Sequence, residues 1–494
     1  MAKSSAKRRK ARGNPGPRAE AAALGKLIHE ARLLSHHGRG QDACRLLMDS
    51  FERFGHHPLW LAQMGFACLD TRRTDEAEFY LQRAIAKDPD CAPAHSYLGF
   101  FYFETADFPK SIEHHKRAIE LDPKSWNYYV NLSQTAERMG LYEQALAALT
   151  VAFQLKPNEP RVMWEMANLY LSNGQIENGW KLYEAGFGCG KRVDLLPRRD
   201  RYWGGEDISD QTILVWREHG IGDEIRNADL YHDLVAVAGR TIIECEPRLE
   251  SIFRRSFPGA EILPEASPPS ATERPEFDVH SGQFSLHYHF RKSITAYREK
   301  ARPDGFLLPD PGRVAFWRER FRSLGGRAVV GLSWRSQLAF KQRTHNYFAL
   351  AELRDLLQAP DVTFVNLFYG DAEEEIREVE QSLGITIHRW SDVDLKNDME
   401  AVFAMTRALD LLISAPTSSA DIGGAVGTPV WTVLPKKHYI RLGEADVPQL
   451  PSLRIYDRQL NEPWGPTLRR ITADFYAWLK ETAATPAAAP RKRA

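Results

Sequence analysis

The sequence predicts an all-α superhelix of repeated helix pairs, followed by an α/β region of two lobes. Three observations support this fold class. A 34-residue repeat runs through the first part of the chain. After about residue 200, short runs rich in β-branched and aromatic residues alternate with helical stretches. The length of 494 residues also exceeds what one hydrophobic core ordinarily serves, so several domains are expected.

The composition is typical of a soluble globular protein. Apolar residues make up 43% of the chain, and Lys+Arg and Asp+Glu both total 65, a balance that gives no indication of nucleic-acid binding. No window approaches the roughly 20 apolar residues of a membrane span. The five cysteines form no CxxC pair, which argues against a disulfide framework and a zinc site. We therefore expect a cytoplasmic protein that has neither a metal ion nor a membrane span.

Both ends of the chain have the composition of tails. Residues 1–22 are strongly basic, contain no acidic residue before Glu20, and lack the apolar segment of a signal peptide. Such a segment is either a disordered, solubilising tail or an electrostatic tether to an acidic surface. The alanine- and proline-rich residues 483–494 predict a second disordered tail.

Residues 23–195 carry the repeat. Pro89, Pro123 and Pro157 lie 34 residues apart, and each ends a similar phrase. A proline ends the second helix of each pair because it lacks an N–H group and clashes with the preceding turn. Small residues recur in the same register, where paired helices approach each other. The pattern resembles the tetratricopeptide repeat, with units starting at Pro58, Ala92, Trp126 and, in a weaker form, Pro160.

This resemblance implies a protein-binding array. Stacked repeats form a concave groove that suits extended peptides. In tetratricopeptide arrays, certain residues of each first helix line this groove. The corresponding residues here are Gln63, Phe66, Tyr97, Phe100, Asn131, Gln134, Glu165 and Asn168. The aromatic residues among 97–103 are also consistent with packing between the helices.

The α/β region contains seven runs that read as strands. Their near-continuous apolar character predicts parallel sheets covered on both faces. The runs are residues 212–216, 241–245, 328–334, 362–368, 385–390, 409–414 and 429–435. We place one lobe at residues 205–325 and the other at residues 326–482.

The first of three distinctive loops follows the first strand. Gly220 and Gly222 are followed by Asp223 and Glu224. The loop lacks the third glycine of a dinucleotide fingerprint and the GK[ST] of a Walker loop, so phosphate binding is not indicated there. Because ligands of parallel sheets bind beyond the carboxyl ends of the strands, Asp223 could act as a general base. Alternatively, it caps the helix that follows.

The second loop, residues 333–348, follows the first strand of the second lobe. Trp334 offers a stacking surface there. Arg335, Lys341 and Arg343 concentrate positive charge that could clamp a diphosphate and stabilise it as a leaving group. The alternative is a solvated basic loop.

The third loop lies within residues 414–431. A strand ends in the hydroxyl-rich segment Thr417, Ser418 and Ser419, directly before a short helix. Hydroxyls and free N–H groups at a helix start can bind an anion, and Gly424 would allow a ligand or a neighbouring strand to approach closely. A plain helix cap with glycine-mediated packing is the alternative.

Together, the three loops resemble the bacterial heptosyltransferase-like (family 9-type) glycosyltransferase domain, in the version fused to tetratricopeptide repeats. That family has a Gly-x-Gly-Asp turn whose aspartate is regarded as the base, which corresponds to Asp223. Its basic residues correspond to Arg335, Lys341 and Arg343. Its donor loop matches this sequence at Thr417, Gly424, Ala425, Gly427, Pro429 and Trp431.

The resemblance implies a GT-B fold of two facing Rossmann-like lobes, with a terminal helix that crosses back to the first lobe. Residues 205–325 would form the acceptor side, with Gly220 and Gly222 in the acceptor loop. Residues 326–482 would form the nucleotide-sugar side, where Trp334, Ser418 and Ser419 join the matched residues. Such an enzyme needs no metal ion and no cofactor besides its nucleotide-sugar co-substrate.

Two residues depart from the family pattern. Pro416 and Asp421 stand where the family has an aspartate and a histidine. The contacts to sugar or phosphate must therefore differ. Relatives with this Pro-Thr form of the loop resemble flagellin-modifying enzymes, which implies a CMP-activated nonulosonic acid as donor. Glu224, next to Asp223, is a second catalytic candidate. Glu224 and Asp421 are also lesser candidates for contacts to the sugar or the acceptor.

We expect the chain to transfer a sugar from a nucleotide-activated donor to Ser/Thr of a protein acceptor. The array would recruit this acceptor. The resemblance to flagellin-modifying enzymes implies that the acceptor is flagellin. The rival hypothesis is a non-catalytic scaffold or chaperone with a degenerate transferase domain, which the Pro416 and Asp421 departures favour. Transfer to lipopolysaccharide is a third hypothesis, but a saccharide acceptor needs no peptide groove.

Overall fold

A computed structural model describes residues 16–193, 195–196, 199–337, 345–459 and 462–484. The chain divides into two compact units, one that ends at Thr135 and one that starts at Ala136. Several predicted features lie outside the described residues. They are the tail residues 1–15 and 485–494 and the two cations Lys341 and Arg343.

The repeat region is helical. Its helices span Pro17–His36, Gly40–Met48, Phe51–Phe54, Pro58–Asp70, Thr74–Lys87, Ala92–Glu104, Phe108–Leu121, Trp126–Arg138, Tyr142–Leu155, Pro160–Ser172 and Ile176–Tyr183. The small repeat residues allow the paired helices to approach closely. An added Cβ at Gly65 would lie 2.6 Å from Cγ of Leu81 on the second helix of the same pair.

The first helix corrects the predicted extent of the basic tail. It begins at Pro17, within the segment 1–22 for which the sequence predicts disorder. Proline is favoured in the first turn of a helix, where its missing N–H has no intrahelical partner. Leu24 and Ala31 of this helix are buried in the core of the first unit.

The α/β region contains two parallel sheets. The first has the order β3-β2-β1-β4 and consists of β1 (Thr212–Trp216), β2 (Arg240–Cys245), β3 (Ala260–Pro264) and β4 (Val279–Gly282). The second has the order β10-β9-β8-β5-β6-β7 and consists of β5 (Ala328–Ser333), β6 (Val362–Asn366), β7 (Ile387–His388), β8 (Leu411–Ser414), β9 (Val430–Leu434) and β10 (Leu453–Asp457). All seven predicted runs contain a strand, and β3, β4 and β10 are additional.

α-Helices lie in most of the connections between these strands, and parallel strands require such crossovers. Before β5 they span Ile221–Asn227, Leu230–Val237, Glu250–Ser256, Leu286–Phe290, Ile294–Lys300 and Pro311–Arg322. After β5 they span Arg354–Leu357, Glu373–Leu383, Met399–Ala408, Ser418–Ala425 and Trp464–Ala484. Among the helices of the described residues, none is both long enough and apolar enough to cross a bilayer.

The two sheets share a hydrophobic core. One buried cluster contains Val215 and Ile243 from the first sheet together with Leu412 and Val430 from the second. A continuous cluster of this kind holds the two sheets together through packed side chains, because interiors pack densely and leave few voids.

The terminal helix lies on the second sheet, which corrects the predicted crossing to the first lobe. Ile471 and Phe475 of the helix Trp464–Ala484 belong to a buried cluster with Phe364 and Trp431 of the second sheet. The amphipathic pattern predicted a buried face correctly, but that pattern does not specify which sheet covers it.

Candidate functional site

The glycine-rich turn after β1 meets the donor-loop helix directly. The helix Ile221–Asn227 starts after Gly220 and packs against the helix Ser418–Ala425. An added Cβ at Gly222 would lie 2.7 Å from Oδ2 of Asp421 and 3.2 Å from Cα of Ser418. An added Cβ at Gly220 would meet nothing within 4 Å. Gly222 therefore serves the close approach of two helices.

One guanidinium joins the two loops. Arg226 Nη1 donates to Oδ1 of Asp421 at 2.8 Å, and Nη2 donates to Oδ1 of Asp223. Nη2 also donates to the Tyr439 hydroxyl at 3.3 Å. The Asp223 side chain is 33% exposed, compared with 8% for Arg226 and 15% for Asp421. Arg226, Asp223, Asp421 and Tyr439 form one cluster, the Arg226 cluster. Asp223 is the carboxylate of this cluster that a substrate can reach most easily.

The position of the helix start excludes the capping alternative for Asp223. The helix begins at Ile221, four residues earlier than the capping interpretation requires, and its N-cap residue is Gly220. Asp223 thus occupies the third helical position, and its carboxylate accepts from Arg226 in the next turn.

Burial determines the charge states around Arg226. It raises the pKa of Asp421 to about 6, although the guanidinium of Arg226 acts in the opposite direction. It also raises the pKa of Tyr439 and, together with the nearby arginines, lowers the pKa of His438 to about 3. Tyr439 and His438 are therefore neutral at pH 7. Arg226 is left as the cation that faces both carboxylates.

Three side-chain amides support the helix that carries Asp223. Asn227 Nδ2 donates to the Asp223 carbonyl at 2.8 Å. Gln283 Nε2 donates to the carbonyl of Glu224, and Gln449 Nε2 to that of Arg226, both at 2.9 Å. The last carbonyls of a helix have no intrahelical partner. Gln283 and Gln449 therefore satisfy two carbonyls that the end of this seven-residue helix leaves open, and they hold its position. Asn227 adds a side-chain bond within the helix itself.

Glu224 is a structural residue, which corrects its prediction as a secondary catalytic candidate. Its side chain is fully buried. Oε2 accepts from Arg217 Nε at 2.8 Å, and Oε1 accepts from the Glu246 N–H at 2.9 Å. Burial raises the pKa of Glu224 to about 7. Both oxygens are thus engaged beneath the turn, where neither can contact a sugar or an acceptor.

The hydroxyls of the third loop divide into a buried and an accessible group. Ser419 is buried, and its Oγ accepts from Ser333 Oγ at 3.0 Å, which ties the helix start to the end of β5. Thr417 and Ser418 are half-buried. Thr417 is the N-cap residue, but its hydroxyl makes no cap hydrogen bond and lies 3.4 Å from Ser414 Oγ. Thr417 and Ser418 thus lie at the helix start, near Asp421.

Gly424 belongs to the core, which corrects its prediction as a donor-binding residue. An added Cβ would lie 2.7 Å from Cδ1 of Leu453 and 2.9 Å from Cδ1 of Leu450. The glycine therefore allows Leu453, at the start of β10, and Leu450, just before that strand, to approach the helix. Glycine-mediated packing, the alternative open from the sequence, is what the structure shows at this position.

The second loop contributes differently from the prediction. Trp334 is fully buried, and its Nε1 donates to the Glu375 carboxylate at 3.1 Å, so its ring offers no stacking surface. Arg335 Nη2 donates to the Asp371 carbonyl and to Glu375, beyond β6. Asp421 follows β8, which lies on the other side of β5. These contacts of Arg335 therefore do not join it to the Arg226 cluster.

Sequence reasoning missed Arg226 and Tyr439. Arg226 follows Asp223 by three residues on the same helix, a spacing at which side chains interact, so half of the pair was detectable. Its second partner, Asp421, is 195 residues away in sequence. No local pattern indicates such a contact.

The predicted groove residues of the first unit form an aromatic row. The rings of Phe66 and Tyr97 stack at 4.5 Å between centroids, and Phe100 lies 6.4 Å from Phe66. Asn131 Nδ2 donates to Ser96 Oγ at 3.2 Å. Phe66, Tyr97, Phe100, Asn131 and Gln134 are half-buried, whereas Gln63 is buried. Half-buried aromatic side chains on successive first helices are suited to contact a peptide.

The chain is similar to known proteins in its repeats and, for one relative, over most of its length. The family model described as Tetratricopeptide repeat matches residues 127–159. Protein FlbA of Caulobacter vibrioides is 28% identical over 437 residues, which cover 83% of this chain and 72% of FlbA. Anaphase-promoting complex subunit 3 of Schizosaccharomyces pombe is 25% identical over 115 residues, which cover 23% of this chain and 17% of that protein.

Among solved structures, a thermophilic tetratricopeptide-repeat protein of Thermus thermophilus is 18% identical, with a TM-score of 0.31. The match covers 35% of this chain and 93% of the Thermus protein. The family-model match identifies the repeats as tetratricopeptide repeats, and the match to FlbA extends over most of the chain.

Proposed function

We propose that the chain is a metal-independent glycosyltransferase of the GT-B type, which moves a sugar from a nucleotide-sugar to a Ser/Thr hydroxyl of a protein acceptor. One observation carries the proposal. The accessible carboxylate Asp223, after β1 of the first sheet, lies beside the start of the helix Ser418–Ala425, after β8 of the second sheet. A base and a candidate anion site thus meet where two parallel sheets end.

In the proposed reaction, the Asp223 carboxylate accepts the proton of the acceptor hydroxyl. The hydroxyl oxygen bonds to the anomeric carbon while the bond from that carbon to the nucleotide phosphate breaks, and the phosphate leaves with the electron pair. Thr417, Ser418 and the free N–H groups of their helix would hold the departing phosphate. Arg335 would add positive charge if its guanidinium left Glu375 and bound the nucleotide-sugar donor instead.

Arg226 gives the site a suitable charge balance. Asp223 and Asp421 together carry two negative charges, and the guanidinium between them carries one positive charge. One net negative charge remains, which favours taking up a proton. Asp421 stands where the resembled family has a histidine. Because its carboxylate is paired with Arg226, the charge that this substitution introduces is compensated within the site.

The acceptor would be recruited by the tetratricopeptide array, whose row of half-buried aromatic side chains fits an extended peptide. The Pro-Thr form of the donor loop favours a CMP-activated nonulosonic acid as donor and flagellin as acceptor. A CMP-sugar has a single phosphate, which a short site at Thr417 and Ser418 can accommodate.

A non-catalytic scaffold is the second candidate, and it also has a specific observation in its favour. Asp223 is already paired with Arg226, and a continuous hydrophobic cluster joins the two sheets. Such a closed arrangement suits a rigid platform that binds partners without chemistry.

Intact-mass analysis of flagellin distinguishes the two candidates. Cells would carry the wild-type gene, a deletion, Asp223→Asn, or the control Asp210→Asn, which alters an exposed aspartate before β1. We expect the deletion to remove the mass of a sugar, Asp210→Asn to restore it, and Asp223→Asn to slow transfer by about 10²–10⁴-fold. A flagellin mass that is the same with and without the gene would favour the scaffold. Full modification by Asp223→Asn would remove Asp223 from the mechanism.

A further inference from the structure

We propose that Trp180, in the last helix of the repeat array, positions the Asp223 turn through a buried chain of hydrogen bonds. Trp180 Nε1 donates to the Tyr297 hydroxyl at 3.0 Å, and that hydroxyl lies 2.7 Å from His287 Nδ1. His287 Nε2 lies 2.8 Å from Asn227 Oδ1. Asn227 Nδ2 donates to the Asp223 carbonyl at 2.8 Å.

The two ends of the chain determine the direction of every bond in it. An indole N–H can only donate, and a backbone carbonyl can only accept. Because Asn227 donates its amide N–H to Asp223, its oxygen faces His287, whose Nε2 must carry a hydrogen. A neutral imidazole then has a bare Nδ1, which accepts the Tyr297 hydroxyl hydrogen. The hydroxyl oxygen in turn accepts from Trp180.

The surroundings keep this arrangement neutral and rigid. Trp180, Tyr297, His287 and Asn227 are all buried. The rings of Trp180 and His287 stack at 4.1 Å between centroids, with planes 5° apart. Burial, assisted by nearby arginines, holds the pKa of His287 well below its usual value. His287 therefore stays uncharged at pH 7, with its hydrogen on Nε2.

Trp180 is thus a positioning residue that acts through three other side chains. The helix Ile176–Tyr183 contributes the donor that starts the chain, so the last repeat takes part in the orientation of the helix that carries Asp223. A recruitment module alone would not need this connection. The role in catalysis rests on the proposed function of Asp223, but the hydrogen-bond chain can be tested without it.

The test substitutes Trp180→Phe, which keeps an aromatic ring over His287 and removes the indole N–H. Trp164→Phe is the matched control, because Trp164 contacts Tyr183 in the same region, with ring centroids 4.4 Å apart, but takes no part in the chain. The tautomer of His287 would be read from the ring ¹⁵N shifts of histidine-labelled full-length protein, assigned with His287→Gln. We expect a bare Nδ1 in all three proteins, because Asn227 holds the hydrogen on Nε2. Amide hydrogen exchange in residues 221–227 should be faster in Trp180→Phe than in the wild type and the control.

If the proposed transfer occurs, kcat should fall about 10-fold in Trp180→Phe with little change in KM, because misplaced catalytic groups lose rate more than binding. A His287 that carries its hydrogen on Nδ1 in the wild type would overturn the chain. So would hydrogen exchange in residues 221–227 of Trp180→Phe at the wild-type rate. Should that variant fail to fold, Tyr297→Phe, which removes the hydrogen donor to Nδ1, gives the same reading.

The two proposals can fail separately. A wild-type protein that shows the expected tautomer but transfers no sugar would leave the chain intact and remove the proposed enzymatic role. Active wild-type protein, together with an unchanged kcat in a Trp180→Phe variant whose residues 221–227 exchange faster, would remove the positioning role while the transferase function stands.

Discussion

Arg226 connects two turns that lie far apart in sequence and belong to different sheets. Its side chain is almost fully buried between Asp223 and Asp421. A buried ion pair contributes little net stability compared with an apolar replacement, but removal of one partner leaves an uncompensated charge. At Arg226 the loss would leave two carboxylates facing each other. The residue therefore controls both the charge balance of the candidate site and the contact between the two helices.

Arg226→Gln should lower the free energy of unfolding by about 3–5 kcal/mol, the usual result of breaking a buried pair on one side. Urea unfolding measures the free energy, and a second experiment, hydrogen exchange in residues 221–227 and 418–425, measures the local effect. Adding Asp421→Asn to Arg226→Gln should recover part of the loss, because it removes one of the two facing carboxylates. If Arg226→Gln unfolds at the wild-type urea concentration, the guanidinium does not hold the two turns together.

The sequence indicated Asp223 because its signal is local, a glycine-rich turn after an apolar run. Tyr439 and the pairing of Arg226 with Asp421 gave no such signal, since these contacts cross between sheets. Trp334 shows the opposite error. An aromatic side chain at a strand end can face a ligand or the core, and only its contact with Glu375 decides for the core.

Among secondary-structure elements, the contact between the helices Ile221–Asn227 and Ser418–Ala425 depends on the absence of a side chain at Gly222. Gly222→Ala should therefore destabilise the protein by about 1–3 kcal/mol, since a methyl group would overlap Asp421 and the backbone of Ser418. Gly220→Ala is the matched control. It lies two residues earlier, where a methyl group meets nothing, and should change stability by less than about 1 kcal/mol.

Thermal unfolding of the two alanine variants, measured side by side, tests this prediction. If the proposed transfer occurs, modification of the acceptor should decline in Gly222→Ala and persist in Gly220→Ala. Equal stability of the two variants would mean that the two helices can separate without cost, which would also weaken the case for a site assembled from both turns.

The elements themselves were largely readable from the sequence. Buried parallel strands such as β1 and β5 are apolar on both faces, so continuous runs mark them. The strand β4, with the sequence Val-His-Ser-Gly, was missed because its residues lack that character. The terminal helix was recognised but assigned to the wrong lobe. An amphipathic stripe shows that one face of a helix is covered, but it does not show which part of the protein covers that face.

At the scale of the whole molecule, the chain combines a helical repeat region and an α/β region, and their proposed tasks should be separable. The aromatic row at Phe66 and Tyr97 belongs to the first unit, and the Arg226 cluster belongs to the second. If the row binds the acceptor, its loss should weaken capture and leave nucleotide-sugar binding unchanged. Asp223→Asn should slow transfer and leave capture unchanged.

Phe66→Ala removes one ring of the 4.5 Å stack with Tyr97, and we expect the affinity for purified flagellin to fall at least 10-fold, about 1.4 kcal/mol. Phe79→Ala is the matched control, because Phe79 is 56% exposed on the second helix of the same repeat. Isothermal titration would measure both variants, and thermal shifts with CMP-, UDP-, GDP- and ADP-sugars would show whether donor binding is retained. Equal affinities for Phe66→Ala and wild type would place the docking surface outside the aromatic row.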